Sequence, residues 1–301
     1  MKDFLITVDT EGDNQWELWK NAECSTENGK YIPRFQELCE EYGFKPVYLL
    51  TYEMIGDSTL AQYLKKKLLK GKCEIGTHLH AWNSPPYYAL TRKFDGNPYI
   101  TEYPDEIIYE KLRVLTNRIT DVMEERPYSH RAGRWASSDS MFRALDEMGY
   151  LVDCSIVSGW DGRCNCGQTI GKGFDYRNYR KESFWITESI LEVPMVVNKK
   201  YDGKGRNLRQ KVCSIVRGRD VWLRPAVSDL ESMKEHVQSD SDYSMFMIHS
   251  TELMPGGSPY FSTAEDIEHE YGIIEAIFSY VAKNHKRATL SDYYYRHKCD
   301  K

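Results

Sequence analysis

Within its first eleven residues the chain sets Asp9 and Glu11 at the end of an apolar run, Phe4 to Val8, with Gly12 directly after them. A carboxylate at the mouth of a buried strand is expensive to desolvate, so it usually has a partner or a task. Spaced i and i+2, the two acids project from one side of an extended segment and could hold one cation or share one proton. His78 and His80 repeat that spacing around Leu79, so both imidazoles face one way while the leucine packs behind. Two neutral imidazoles and a carboxylate form a three-ligand set for zinc or a similar divalent metal, with positions left for water and substrate. Taken singly, each motif is equally consistent with a solvated turn. Their company, which includes Arg131 and His249, is what argues for chemistry.

Those side chains lie far apart in sequence, so the elements that carry them must bring their ends together. Short apolar runs at 4–8, 46–52, 73–80, 128–132, 151–155, 191–197 and 243–249 read as strands. Between them, 31–42, 57–70, 104–125, 138–148, 228–237 and 263–284 carry helical spacing, and 288–295 closes the chain. From about 157 to 190 the pattern dissolves into Gly, Cys, Asn and aromatic residues, which predicts a long loop excursion. About seven strands alternating with helices predict an α/β fold, a single closed or nearly closed β/α barrel spanning residues 1–301. In such a barrel the C-terminal strand ends open onto one face. That face would receive Asp9 and Glu11 from the first strand, His78 and His80 from the third, Arg131 from the fourth, Asp153 from the fifth and His249 from the last.

Composition narrows the class. The 301 residues are 41% hydrophobic and 28% charged, as in a globular chain able to bury a sizeable core. No stretch approaches the roughly 18 uncharged residues of a membrane span, and Asp9 interrupts the first apolar run too early for a signal peptide, which predicts a cytoplasmic protein. The 8 cysteines are irregularly spaced; Cys154, Cys164 and Cys166 lack a second pair to close a structural zinc site and read as ordinary thiols. A net charge of -5 argues against nucleic-acid binding. It conceals a basic segment near 199–224, with nine Lys and Arg against Asp202 and Asp220. That segment is either a solvated loop or a surface for phosphate, in an anionic membrane or a diphosphate-bearing sugar.

In order along the chain, TVDTEGD at 7–13, EIGTHLHAW at 74–82, HRAGRW at 130–135, VDCS at 152–155 and MIHSTELMPGGSPY at 247–260 resemble the successive motifs of the polysaccharide deacetylases of the NodB-like carbohydrate esterase family. The likeness is greatest to the branch associated with lipopolysaccharide biosynthesis, the WalW type. The resemblance implies a distorted β/α barrel that hydrolyses, with a divalent metal, an N- or O-acetyl group on a sugar or lipid-linked glycan. It makes Asp9 the general base, Glu11, His78 and His80 the metal ligands, Arg131 the partner that orients Asp9, and His249 the acid that protonates the leaving group. A backbone N–H near Arg134 would help bind the oxyanion. Two positions depart from the family pattern. The family's adjacent Asp pair is here Asp9-Thr10-Glu11, and its i, i+4 histidine pair is here i, i+2, with Trp82 standing four beyond His78. Asn83 or Asp13 could supplement the ligand set.

Trp82, Trp135 and Trp160, each near a motif, are candidate platforms for a sugar ring, and equally candidates for core packing. Asp153 either orients His249 or completes a buried hydrogen-bond network. Two other functions fit the same residues: a C–N hydrolase of a small amide or ureide, and a barrel without turnover that binds a glycan or glycolipid.

Overall fold

A computed structural model describes residues 1–13, 24–165, 167–169, 173–204 and 207–299. The first strand, β1 (Asp3–Thr10), is buried along its whole length, as a parallel strand covered on both faces must be. Helix α1 (Ile32–Glu41) starts with a proline in its first turn and leads to β2 (Val47–Leu50) through Gly43 at φ +73°, a left-handed turn that glycine enters without strain. Asp57 caps α2 (Ser58–Leu69) by accepting from the backbone N–H groups of Thr59 and Leu60, and β3 (Glu74–Leu79) follows. Helix α3 (Asp105–Met123) buries Ile108, Leu112, Leu115 and Ile119 on one stripe and precedes β4 (Ser129–Ala132). Ser138 caps α4 (Asp139–Glu147), which returns the chain to β5 (Val152–Asp153).

Beyond β5 the chain forms β6 (Phe184–Trp185), β7 (Leu191–Glu192), β8 (Asn198–Lys200), α5 (Leu208–Val216), β9 (Arg219–Val221) and α6 (Leu230–Val237). It ends with β10 (Tyr243–His249), α7 (Ala264–Val281), β11 (Lys286–Arg287) and α8 (Leu290–Lys298). Seven strands in the order β10-β1-β2-β3-β4-β5-β7 pair in parallel, β6 adds an antiparallel edge, and β11 pairs with the start of β1. The sheet curls into a half-barrel with helices around it, a distorted α/β barrel. Its curl is visible in Arg131, whose guanidinium leaves β4 and crosses the interior to Asp9 and Thr7 on β1, with β2 and β3 lying between. Across the open side, the Tyr243 hydroxyl of β10 donates to the Pro194 carbonyl just after β7, at 2.5 Å.

The excursion near 157–190 is held by aromatic packing. Phe174 stacks on Tyr176 with ring centres 4.5 Å apart, and Trp160 meets Phe174 edge-on. Tyr176 ties this loop to the segment after β4, donating to the Trp135 carbonyl at 2.6 Å and accepting from the Ser137 N–H at 2.8 Å. The basic segment is no simple solvated loop: β8 and β9 form an antiparallel pair enclosing α5, capped by the Asn207 side chain. Of the three cysteines weighed for zinc, Cys154 is buried and Cys164 exposed, both as free thiols, while Cys166 lies outside the described residues. Among the described residues, no helix is long and apolar enough to cross a membrane.

Candidate active site

Strand register assembles the site. Asp9 pairs with His249 between β1 and β10, and His78 pairs with Arg131 between β3 and β4. Glu11, His78 and His80 are buried, and one ligand atom from each lies within 4.8 Å of the others. Glu11 Oε2 is 3.0 Å from His80 Nε2 and 3.6 Å from His78 Nε2, and the two Nε2 atoms face each other at 2.9 Å. The i, i+2 spacing therefore works on this strand, because alternate residues share a face. His78 Nδ1 lies 3.0 Å from the Arg131 carbonyl, which can only accept, so in its neutral form the imidazole carries its proton on Nδ1 and turns the Nε2 lone pair inward, while Asp9 and Glu11 favour the charged form against burial. Two imidazole nitrogens and a carboxylate oxygen converging in a buried space have the donor chemistry of a divalent-metal site. Among the described residues this is the one His, Cys, Asp and Glu group so arranged.

The surroundings of Glu11 fix its position. Ser250 Oγ accepts from the Glu11 N–H at 3.1 Å and donates to the Glu11 carbonyl at 3.2 Å, and Asn28 Nδ2 donates to that carbonyl at 2.7 Å. Thr10 turns away, its hydroxyl donating to the Val8 carbonyl. Asp13 is not in the converging group, and the Asn83 amide nitrogen is engaged by Glu53. Asn83 Nδ2 donates to Glu53 Oε2 at 2.9 Å, and Glu53 also accepts from the Gly12 N–H. Gly133 lies directly behind His80: a Cβ added there would come within 2.3 Å of His80 Cδ2 and 2.8 Å of the Leu79 carbonyl.

Asp9 has its two oxygens in different surroundings. Oδ1 accepts from Arg131 Nη1 at 2.5 Å, while Oδ2 faces His249 Nε2 at 3.9 Å and His78 Nε2 at 4.0 Å. Burial alone favours the protonated acid, but Arg131, His78 and His249 outweigh it and hold the carboxyl below its ordinary range. Glu11 lies further below, with burial again opposed, here by His249, His78 and His80. Arg131 is itself immobilised, donating through Nε to the Cys154 carbonyl at 3.1 Å and through Nη2 to Thr7 Oγ1 at 3.0 Å.

His249 Nε2 is also 3.9 Å from Glu11 Oε1, and its Nδ1 lies 3.5 Å from Glu252 Oε1. Glu252 pairs in turn with Arg224, whose Nε donates to Oε1 at 3.1 Å. Burial pushes the Glu252 carboxyl up, and Arg224 and His249 together bring it below its ordinary value. Asp153 does not perform this orienting role. It accepts from Ser155 Oγ at 2.8 Å and Ser155 N–H at 3.2 Å, and burial raises its pKa and that of its neighbour Glu192 within the core. Glu252 and Arg224 are functional candidates that sequence reading passed over. The pattern His249-Ser-Thr-Glu252 has the spacing of a capping box, and Glu252 does accept from the His249 N–H, at 3.3 Å.

A cavity of about 510 Å³ opens over these groups, walled by Trp82, Arg134, Trp135 and Arg224 and by the loop at Asp95–Asn97. Trp82 packs on His80 with ring centres 4.4 Å apart, and the Arg134 guanidinium lies 3.5 Å over the Tyr99 ring while donating to the Asn97 carbonyl. Arg134 and Trp135 are consecutive left-handed residues, φ 57° and 62°, a conformation that disfavours side-chain-bearing residues by about 1 kcal/mol each. The turn after β4 thus carries strain while it presents two large side chains to the cavity. Trp160 is not part of that wall; it packs edge-on against Trp222, which tilts against Trp135.

No family model and no curated protein matches this chain. Solved structures share its fold. A Mycobacterium smegmatis protein assigned as a polysaccharide deacetylase is 12% identical, with a TM-score of 0.55 over 99% of this chain and 91% of its own. The 4-alpha-glucanotransferase of Thermococcus litoralis is 12% identical, with a TM-score of 0.54 over 98% of this chain and 38% of its own. A GH57 branching enzyme from Thermococcus kodakaraensis is 10% identical, with a TM-score of 0.54 over 96% of this chain and 70% of its own. These likenesses show the fold, which by itself does not fix a reaction.

Proposed function

We propose that this chain is a metal-dependent deacetylase that hydrolyses an N- or O-acetyl group on a sugar destined for a surface polysaccharide. The observation that carries the reading is the convergence of Glu11, His78 and His80 beside an Asp9 whose Oδ1 is tied to Arg131 and whose Oδ2 faces the same space. Glu11, His78 and His80 would hold the metal, and two nitrogens with one carboxylate oxygen suit Zn2+. A divalent ion there supplies Lewis acidity toward water and the acetyl carbonyl. The sugar assignment draws on the order of the sequence motifs and on the fold shared with the M. smegmatis protein.

The chain's own groups divide the remaining work. Asp9 Oδ2 accepts the proton of the attacking water, while Arg131 on Oδ1 keeps the carboxylate ionised and still. His249, across from Asp9 and braced by Glu252, delivers a proton to the leaving amine or alkoxide as the C–N or C–O bond breaks and acetate departs. Trp82 and Trp135 offer apolar faces for the sugar ring on the cavity wall.

The test is acetate release from acetylated monosaccharides and oligosaccharides by zinc-loaded protein. Asp9→Asn and His249→Gln should each lower turnover by roughly 10²–10⁴-fold while leaving bound metal unchanged. Absence of acetate from every acetylated sugar, or full activity in either variant, would overturn the reading.

A further inference from the structure

Between Asn198 and Val221 the chain leaves the barrel as β8, α5 and β9. The helix in this excursion is turned inside out relative to an ordinary surface helix. Its buried side chain is Ser214, whereas Leu208, Val212, Ile215 and Val216 are 78%, 50%, 62% and 69% exposed. At about 100° per residue these four fall in a stripe about 100° wide, and Arg209 and Lys211 fall at its two edges. Both cations are exposed.

Charge is distributed unevenly over the excursion. Around its base, Lys199 pairs with Asp220, Lys200 with Glu235, Lys204 with Asp229 and Arg219 with Asp202. On α5 and just after it, Arg209, Lys211 and Arg217 have no acidic partner among the described residues, in a chain whose net charge is -5. An apolar stripe edged by unpaired cations has the form of a helix that lies in a membrane interface, the apolar side chains entering the acyl boundary and the cations meeting phosphate. A helix of nine residues without a packed face is also marginal in water, so it gains order from a surface that covers it.

We propose that α5 is an interfacial helix that docks this protein on an anionic lipid surface, with Leu208, Val212, Ile215 and Val216 inserted and Arg209, Lys211 and Arg217 on the headgroup phosphates. A second copy of the chain fits this face less well. The face of a nine-residue helix measures about 14 Å by 10 Å, far below the roughly 800 Å² that each partner of a stable dimer covers. A two-fold contact would also bring the two sets of cations together. Strand β9 runs on through Trp222 and Leu223 to Arg224, which walls the cavity, so the turn at Arg217–Gly218, the three residues of β9 and two more separate the docked helix from the catalytic pocket. A lipid-linked acetylated glycan is then the substrate that docking favours. That last step rests on the deacetylase reading; the lipid binding does not.

The experiment is flotation of the full chain with vesicles of phosphatidylcholine alone and of phosphatidylcholine with phosphatidylglycerol. Wild-type protein should float with the anionic vesicles and not with the zwitterionic ones, and rising salt should weaken it. Val212→Glu with Ile215→Glu, and separately Arg209→Glu with Lys211→Glu, should each weaken binding at least ~10-fold. Melting temperature and turnover of a soluble acetylated sugar should stay unchanged, because these side chains are exposed and outside the pocket. Failure of wild type to float on anionic vesicles, or equal flotation of the Val212→Glu, Ile215→Glu variant, overturns the inference. So does a lipid-free wild-type dimer in sedimentation velocity that this variant dissociates, since it assigns the stripe to a second copy. Flotation without acetate release from any sugar would retain the docking surface and remove the catalytic reading.

Discussion

Glu270, on α7, is fully buried with neither carboxyl oxygen hydrogen-bonded among the described residues, and it lies close enough to Glu252 and Arg224 to sense both charges. Burial first, and then the charge of Glu252, raise its pKa from 4.5 to about 9 against the opposing pull of Arg224. The folded state therefore holds this proton more tightly than the unfolded chain. The resulting stabilisation is fully present below pH 4.5 and is lost as pH rises through about 9. Each pH unit inside that window removes ~1.4 kcal/mol, so moving from pH 5 to pH 8 removes about 4 kcal/mol at most. For a chain of 301 residues unfolding near Tm carries an entropy of about 0.6 kcal/mol/K, which converts that loss to about 6 °C. Glu270→Gln keeps the shape and removes the titration. Scanning calorimetry at both pH values should show the variant matching wild type at pH 5 and melting roughly 3–6 °C above it at pH 8. An equal difference at the two pH values would refute the reasoning, because it would mean that the buried carboxyl does not hold its proton.

Arg131→Met should destabilise the fold by ~3–5 kcal/mol by leaving Asp9 charged and buried without its cation, and adding Asp9→Asn should restore much of that; chemical denaturation of the two single variants and the double variant measures the coupling. Gly133→Ala should push His80 aside and weaken metal binding by ~10–100-fold in competition with a chromogenic chelator, and unchanged affinity would contradict the close approach behind His80. Glu252→Gln should lower kcat for acetate release by ~10-fold or more with little change in KM or in bound metal, as expected of a group that braces His249.

The architecture was largely legible in the sequence because each strand of the barrel is announced by local pattern. Tyr243 to His249 reads as a buried strand and is β10 with those bounds; of the stripe Ile107, Ile108, Leu112, Leu115, Ile119 and Val122, the middle four form the buried face of α3 and Ile107 and Val122 are half-buried. Strands β5 and β7 are only two residues each, shorter than the apolar runs around them, and an isolated parallel bridge between Val157 and Met195 continues their pairing. At the site, Asp9, Glu11, His78, His80, Arg131 and His249 converge as their strand ends predict. The pairing of Arg224 with Glu252 has no local signature, because it joins residues 28 apart through the fold. Asp153 was ambiguous for the same reason: its partner Glu192 is on β7, and no spacing in the sequence links the two. The outward stripe of α5 was readable in the spacing of Leu208, Val212 and Ile215, but the charges around it dominate the sequence there.

The central claim is that Glu11, His78 and His80 together hold a metal ion despite the i, i+2 spacing of the histidines. The most direct measurement is anomalous diffraction at the zinc edge from crystals of protein reconstituted with one equivalent of Zn2+. The account predicts a single strong peak bonded to one Glu11 oxygen and to both Nε2 atoms, at roughly 2.0–2.2 Å from each. No peak among these three side chains, or a peak held by other residues, would contradict it.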